Sequence, residues 1–173
     1  VSKLSAEQAM YHFITGYTAK VAGTERGVKE PQATFSPCFG GPFLTLHPLR
    51  YAELLKDKLE KHGSIVYLVN TGWVGGSPSS GAARISIKDT RNIITSILDG
   101  SIEKSVFCKE EFFGLDIPKT LNNVDSNILN PSNSWPSNEM YTSVAKKLAE
   151  MFKENFNQYG AEVEHLKEFG PII

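Results

Sequence analysis

The side chains best suited to chemistry lie in the run Arg84-Ile85-Ser86-Ile87-Lys88-Asp89-Thr90-Arg91, which follows Asn70-Thr71-Gly72-Trp73 and a glycine-rich stretch. A planar guanidinium such as that of Arg84 can stack on a purine face or bridge phosphate oxygens. Ile85 can supply an apolar wall, and the Thr90 hydroxyl can reach a ring nitrogen. The pattern reads as apolar strand, flexible loop and helix start. At such junctions α/β proteins bind nucleotides, because backbone N–H groups and the positive helix end converge there. No G-x-x-x-x-G-K-[ST] phosphate loop occurs in the chain, so these residues amount to one half of a nucleotide site. A plainer reading makes Arg84 and Arg91 surface cations and Thr90 an ordinary first-turn residue.

Other candidates carry less. The segment from Gly72 to Gly81 could cradle an anion with its N–H groups, but no Lys follows in the phosphate-loop position, and the same composition marks a mobile surface loop. His12, His47, His62 and His165 are scattered without metal-ligand spacing, which favours structural or surface roles. Glu162, Glu164 and Glu168 read as a solvated helix face. No Gly-x-Ser-x-Gly elbow is present, and no catalytic centre emerges from residue chemistry alone.

The elements that must position Arg84 and Thr90 can be read from caps and periodicity. Ser5 and Gln8 form a capping box ahead of a helix over about residues 6–15 carrying Ala9, Met10, Phe13 and Ile14. Gly16 and residues 17–25 break that pattern as an irregular stretch whose small residues permit close backbone approach. Residues 31–47 mix prolines and glycines with Phe35, Phe39, Phe43, Leu44 and Leu46, which predicts an apolar loop packed against another element. Pro48 opens a helix ending at Gly63, with Leu49, Ala52, Leu55 and Leu59 as its core stripe. Ile65 to Val69 is a continuous apolar run that suits a strand buried on both faces.

Residues 70–83 read as loop. Ser86 and Asp89 cap a helix carrying Ile87, Ile93, Ile94, Ile97 and Leu98, closed by Gly100. Residues 101–136 lack periodicity and suggest an extended arm. Ser137 caps a long helix to about Tyr159 with Val144, Leu148, Met151, Phe152 and Phe156 on one face, and a short acidic tail helix follows. This amounts to an α/β chain with four helices but one convincing strand, whose neighbours are expected from sequence upstream of Val1.

Length and composition bound the function. The 173 residues are 40% hydrophobic and 21% charged, with a net charge of −1, as in an ordinary soluble domain or a large piece of one. That balance argues against nucleic acid as main partner, since backbone binding needs a positive surface. No apolar run approaches the roughly 20 residues of a bilayer span, and no apolar h-region follows Val1. Cys38 and Cys108 lack metal-like spacing and read as incidental reduced thiols of a cytoplasmic protein. The missing initiator Met suggests a chain that begins inside something longer.

Three ordered blocks add a family. LSAEQAMYHFITGYTAKVAGTERG (Leu4 to Gly27), FSPCFGGPFLTLHP (Phe35 to Pro48), and VYLVNTGW with RISIKDTR (Val66 to Trp73, Arg84 to Arg91) resemble the C-terminal part of the ATP-dependent phosphoenolpyruvate carboxykinases. The resemblance implies a mononucleotide-binding C-terminal domain, of which residues 1–173 are a part, with its mixed sheet completed by upstream sequence. It implies conversion of oxaloacetate and ATP to phosphoenolpyruvate, ADP and CO2 in gluconeogenesis. It assigns Arg84, Ile85 and Thr90 to the base and ribose end of the ATP pocket. The phosphate loop, the ligands of a divalent Mg or Mn, and the oxaloacetate-binding groups belong to family motifs that precede the matched region. The segment alone is therefore expected to be inactive, with the remainder of the polypeptide as its partner. One departure is local: Ser79-Ser80-Gly81-Ala82-Ala83 precede Arg84 where many family members have a glycine-rich stretch and a basic residue. The alternatives are a stand-alone nucleotide-binding or regulatory module of the same fold, and an interaction protein that has lost nucleotide binding.

Overall fold

The computed structural model describes residues 1–20 and 32–173, which divide into two units. The first comprises Val1–Lys3, Tyr67–Glu111 and Leu115–Ala145; the second comprises Leu4–Val66, Phe112–Gly114 and Lys146–Ile173.

Helix α1, Ala6–Thr15, starts as its capping box dictates. Ser5 Oγ accepts from the Gln8 N–H at 3.1 Å, and Gln8 Oε1 accepts from the Ser5 N–H at 3.0 Å. Gly16 closes the helix in left-handed backbone, and a hairpin follows. Strands β2 (Tyr17–Lys20) and β3 (Gln32–Phe35) pair antiparallel with Tyr17 opposite Phe35. The irregular stretch expected over 17–25 is therefore strand as far as residue 20; its remainder lies outside the described residues. Helix α2, Pro48–His62, has Pro48 at its first position and the His47 ring accepting from the Leu49 N–H at 3.3 Å. Gly63 ends it in left-handed backbone.

The core of the second unit gathers Tyr11 and Ile14 of α1, Leu49 and Ala52 of α2, and Phe152 and Phe156 of helix α4 (Asn138–Asn157). Val163 and Leu166 join it from the 3-10 segment Ala161–Phe169, the expected tail helix. Tyr11 stacks on Phe156 with ring centroids 4.2 Å apart, an arrangement that adds specific geometry to a large apolar area. The expected stripe of α2 is only half right, since Leu55 and Leu59 are half-buried beside fully buried Leu49 and Ala52. The apolar loop over 35–46 packs away only in part, with Phe35 against the core at Phe152. Phe39, Phe43 and Leu46 are exposed, Phe43 to 86%; Phe39 and Phe43 each end a short 3-10 turn (Pro37–Phe39, Gly41–Phe43) that turns its side chain out.

The strand expectation needs the larger correction. The apolar run after Gly63 yields β4 (Val66–Leu68), which is half-buried and stands at one edge of a four-stranded sheet. Its neighbour is β1 (Ser2–Leu4), followed by β8 (Asp116–Pro118) and β7 (Phe107–Lys109). Lys3 lies opposite Asp116, and Cys108 opposite Ile117, in antiparallel pairs. One neighbour of β4, the strand β1, thus comes from the opening residues of this chain, and β8 and β7 from the supposed arm extend the sheet on that side. Three-residue strands are too short to display a period-2 pattern, which is why they escape sequence reading. Lys3, Tyr67 and Glu103 tie the sheet together: Lys3 Nζ and the Tyr67 hydroxyl both donate to the Glu103 carboxylate. Beside Lys3 that carboxyl is held below its ordinary range.

Helix α3, Ile87–Leu98, begins at Ser86, whose Oγ accepts from the Asp89 N–H at 2.9 Å. Gly100 follows it in left-handed backbone, as its place after the last periodic residue predicts. Its burial is narrower than its periodicity implies: Ile93 and Ser96 face inward, while Ile87 and Leu98 are more than 70% exposed, at 74% and 81%. Ser137 Oγ accepts from the Met140 N–H at 3.2 Å at the start of α4. Val144, expected on that helix's buried face, is 49% exposed.

Candidate functional site

Within the first unit, the glycine-rich stretch before Arg84 is a hairpin and not an open loop. Strands β5 (Trp73–Val74) and β6 (Ala83–Arg84) pair antiparallel, with Trp73 opposite Arg84 and Val74 opposite Ala83. The ladder runs one step further where the Ile85 N–H donates to the Gly72 carbonyl at 2.9 Å. At the entrance, Asn70 Oδ1 accepts from the Gly72 N–H at 2.8 Å. Pro78–Ser80 makes a 3-10 turn at the tip. Gly75 has φ +76°, and a Cβ there would stand 2.1 Å from the Ser134 carbonyl oxygen. Only glycine permits both that backbone and that approach.

Arg84 is exposed, yet its guanidinium is held on two sides. Nε donates to the Thr71 carbonyl at 3.0 Å. The guanidinium carbon lies 5.6 Å from the centroid of the Trp73 ring, within range of a cation–π attraction. The terminal nitrogens have no acceptor among the described residues. Ile85 is half-buried at the end of the hairpin, and Ser86 follows as the cap of α3. Thr90 stands in the first turn, its N–H donating to the Ser86 carbonyl at 2.9 Å. Its hydroxyl has no partner among the described residues. The end of β6 and the N-terminal turn of α3 thus bring Arg84, Ile85 and Thr90 into one junction spanning residues 84–90. Arg91 is exposed one position further along α3.

The junction offers an oriented cationic donor, an apolar side chain, a hydroxyl able to donate or accept, and the positive end of a helix. Sequence reading placed Thr71 and Trp73 in the motif but gave neither a role. The register that sets Trp73 across from Arg84 is what gives them one.

His12 and His47 are placed by packing and capping. The His12 side chain is enclosed by aromatic rings in the core of the second unit. His47 caps α2, and its Nε2 lies 3.1 Å from the Tyr159 carbonyl. Cys38 and Cys108 are free, and burial pushes the Cys38 thiol up to about 11, away from ready thiolate chemistry. Among the described residues no group of three His, Cys, Asp or Glu could hold a metal ion. None of their helices is long and apolar enough to cross a membrane.

Comparison with known proteins gives these residues a setting. The sequence profile of the phosphoenolpyruvate carboxykinase family matches residues 1–127. A phosphoenolpyruvate carboxykinase (ATP) of Campylobacter jejuni subsp. jejuni is 58% identical over 175 aligned residues, covering 100% of this chain and 33% of the relative. Enzymes of the same name from Leptospira biflexa and Sulfurimonas denitrificans are each 55% identical, over 99% and 100% of this chain and 33% of their own lengths. The chain spans about a third of the length of these relatives.

Proposed function

The chain belongs to the ATP-dependent phosphoenolpyruvate carboxykinase family, and from that premise we propose that it forms the C-terminal part of the nucleotide-binding domain of such an enzyme. The whole enzyme converts oxaloacetate and ATP to phosphoenolpyruvate, ADP and CO2, a step of gluconeogenesis in the cytoplasm. This segment holds the adenosine end of ATP through Arg84, Ile85 and Thr90. The remainder of the polypeptide supplies the phosphate loop, the oxaloacetate groups and the ligands of a divalent Mg or Mn. That metal, when bound, offsets the negative charge of the phosphates.

The observation that carries the reading is the state of Arg84: anchored through Nε, with its terminal nitrogens open to a ligand. Phosphoryl transfer asks little covalent chemistry of the protein and much positioning. A clamp on the nucleoside aligns the far end of the triphosphate, and alignment of this kind can contribute several kcal/mol to a barrier. Ile85 excludes water from one side of the base, and the Thr90 hydroxyl accepts or donates at its edge.

Arg84→Ala in the full-length enzyme is expected to raise the KM for ATP roughly 10- to 100-fold, the worth of a charge-assisted contact. The kcat should stay within a factor of about three, because the contact serves ground state and transition state alike. Steady-state kinetics with ATP varied at saturating oxaloacetate measure both, and an unchanged KM would sink the assignment.

A second reading, a stand-alone nucleotide-binding module, is favoured by one observation: the strand beside β4 and the two beyond it come from within this chain. The two readings part on ATP binding and not on activity. The isolated 173 residues are expected to turn over no oxaloacetate with ATP and Mn²⁺ under either. Submillimolar ATP binding by the isolated chain in calorimetry supports the module, and its absence supports the segment.

A further inference from the structure

We propose that Trp73 is a positioning residue for the ATP site, acting through Arg84. The inference rests on the reading of Arg84 as a nucleotide contact. An arginine on a two-residue edge strand has four side-chain torsions, and a ligand that must order them loses affinity in doing so. Here that ordering is already in place. The Trp73 ring lies against the guanidinium with the Arg84 carbon 5.6 Å from its centroid, and the Thr71 carbonyl takes the Nε hydrogen at 3.0 Å. Two contacts on different groups fix both the position and the plane of the cation.

The supports of these contacts are themselves backbone. Trp73 and Arg84 are paired residues of β5 and β6, so the ring and the cation share one face of the hairpin. The Gly72 carbonyl between Thr71 and Trp73 accepts from Ile85, and Gly75 seats the strand against the Ser134 carbonyl. The hairpin therefore transmits the fold of residues 72–75 and 134 to the attitude of a single guanidinium. Thr71 acts through its carbonyl and tolerates substitution, whereas Trp73 acts through its side chain. The chain's other tryptophan, Trp135, packs on Tyr141 with centroids 6.1 Å apart and takes no part.

The test is a double-mutant cycle in the full-length carboxykinase, read as KM for ATP against kcat. Trp73→Leu is expected to raise the KM about 2- to 5-fold, the worth of an exposed cation–π contact, with kcat unchanged. Trp73→Phe should restore most of the loss, since a smaller ring keeps a π face. In the Arg84→Ala background, Trp73→Leu should add nothing, because no cation remains to be positioned. A Trp73→Leu effect that multiplies with that of Arg84→Ala overturns the proposal, as does an unchanged KM in Trp73→Leu when Arg84→Ala raises it. If Arg84→Ala itself has no effect, the ATP assignment fails and takes this inference with it. Should Trp73→Leu not fold, fluorinated tryptophans preserve the shape while draining the ring of charge. A stepwise rise in KM with each added fluorine supports the proposal, and a flat series overturns it.

Discussion

Gly16→Ala should cost the protein on the order of 4–5 kcal/mol, whereas Gly63→Ala, at the end of the next helix, should cost about 1 kcal/mol. The two glycines do the same job in nearly the same backbone. Each closes a helix in the left-handed region, at φ +56° and +61°, where a Cβ carries a modest steric penalty. They differ in what surrounds them. A Cβ on Gly63 would meet nothing within 4 Å, while one on Gly16 would lie 1.7 Å from the Ser36 carbonyl oxygen and 2.6 Å from its carbon. Those are backbone atoms, so no side-chain rotation relieves the overlap.

The approach at Gly16 is built in, because the Gly16 carbonyl accepts the Ser36 N–H at 3.0 Å. Pushing the strands apart would break that bond and displace the hairpin that begins with Tyr17 opposite Phe35. Both rings pack on Phe152, with centroids 5.1 and 5.4 Å from it, so the disturbance reaches the core of the second unit. Denaturant unfolding of the two variants side by side measures the difference. Equal losses would mean that the chain relaxes around Gly16 and that the approach is not a constraint.

Acid should weaken the fold through His12. This side chain is 9% exposed and ringed by Tyr11, Phe152 and Phe113 at 5.6, 5.8 and 6.5 Å between centroids. Its Nε2 has no hydrogen-bond partner among the described residues. Loss of hydration disfavours the charged form and brings the imidazole down to about 4 from an ordinary 6.5. The unfolded chain takes up this proton near pH 6.5, the folded one only near 4. Between those values the unfolded state binds more protons, so stability is full above about 6.5 and declines as the pH falls toward 4. The whole decline amounts to roughly 3 kcal/mol.

Most of this window is free of the shifted carboxylates. Glu7 is held below its usual range by its hydrogen bond with Lys56, and Glu103 by that with Lys3. Their contributions are lost only at pH values below about 4.5. His12→Leu, which keeps the volume and removes the titration, should flatten the stability profile between pH 6.5 and 4.5. Urea midpoints at half-unit pH steps provide the comparison, and a slope that survives the substitution would place its source elsewhere.

Much of the helical part of the fold was legible because its causes are local. A capping box at Ser5 and Gln8, a proline at residue 48, glycines at 63 and 100 and a serine at 86 each act within one turn. The structure places every one of them at the expected helix end. Arg84, Ile85 and Thr90 likewise fall at one strand-to-helix junction, because they are near neighbours along the chain. Their assignment to ATP came from the resemblance and stands as a proposal. The family was legible too, since ordered blocks survive without any knowledge of how they fold.

What tertiary structure alone decided is whatever depends on residues distant along the chain. Lys3 pairs with Asp116, and no local pattern in three-residue strands could announce it, so the sheet looked like a single strand in need of outside neighbours. Periodicity marked Ile87 and Leu98 as apolar positions of α3, but only packing shows that Ile93 and Ser96 are the ones turned inward. The same holds for Trp73. Its motif was visible from the start, yet its role against Arg84 follows from the register of a hairpin that reads in sequence as a glycine-rich loop. Hydrogen-bond caps and dihedral limits act over a few residues and are written in composition. Strand pairing and side-chain enclosure are settled by competition among all surfaces at once, and that competition is resolved only in the folded chain.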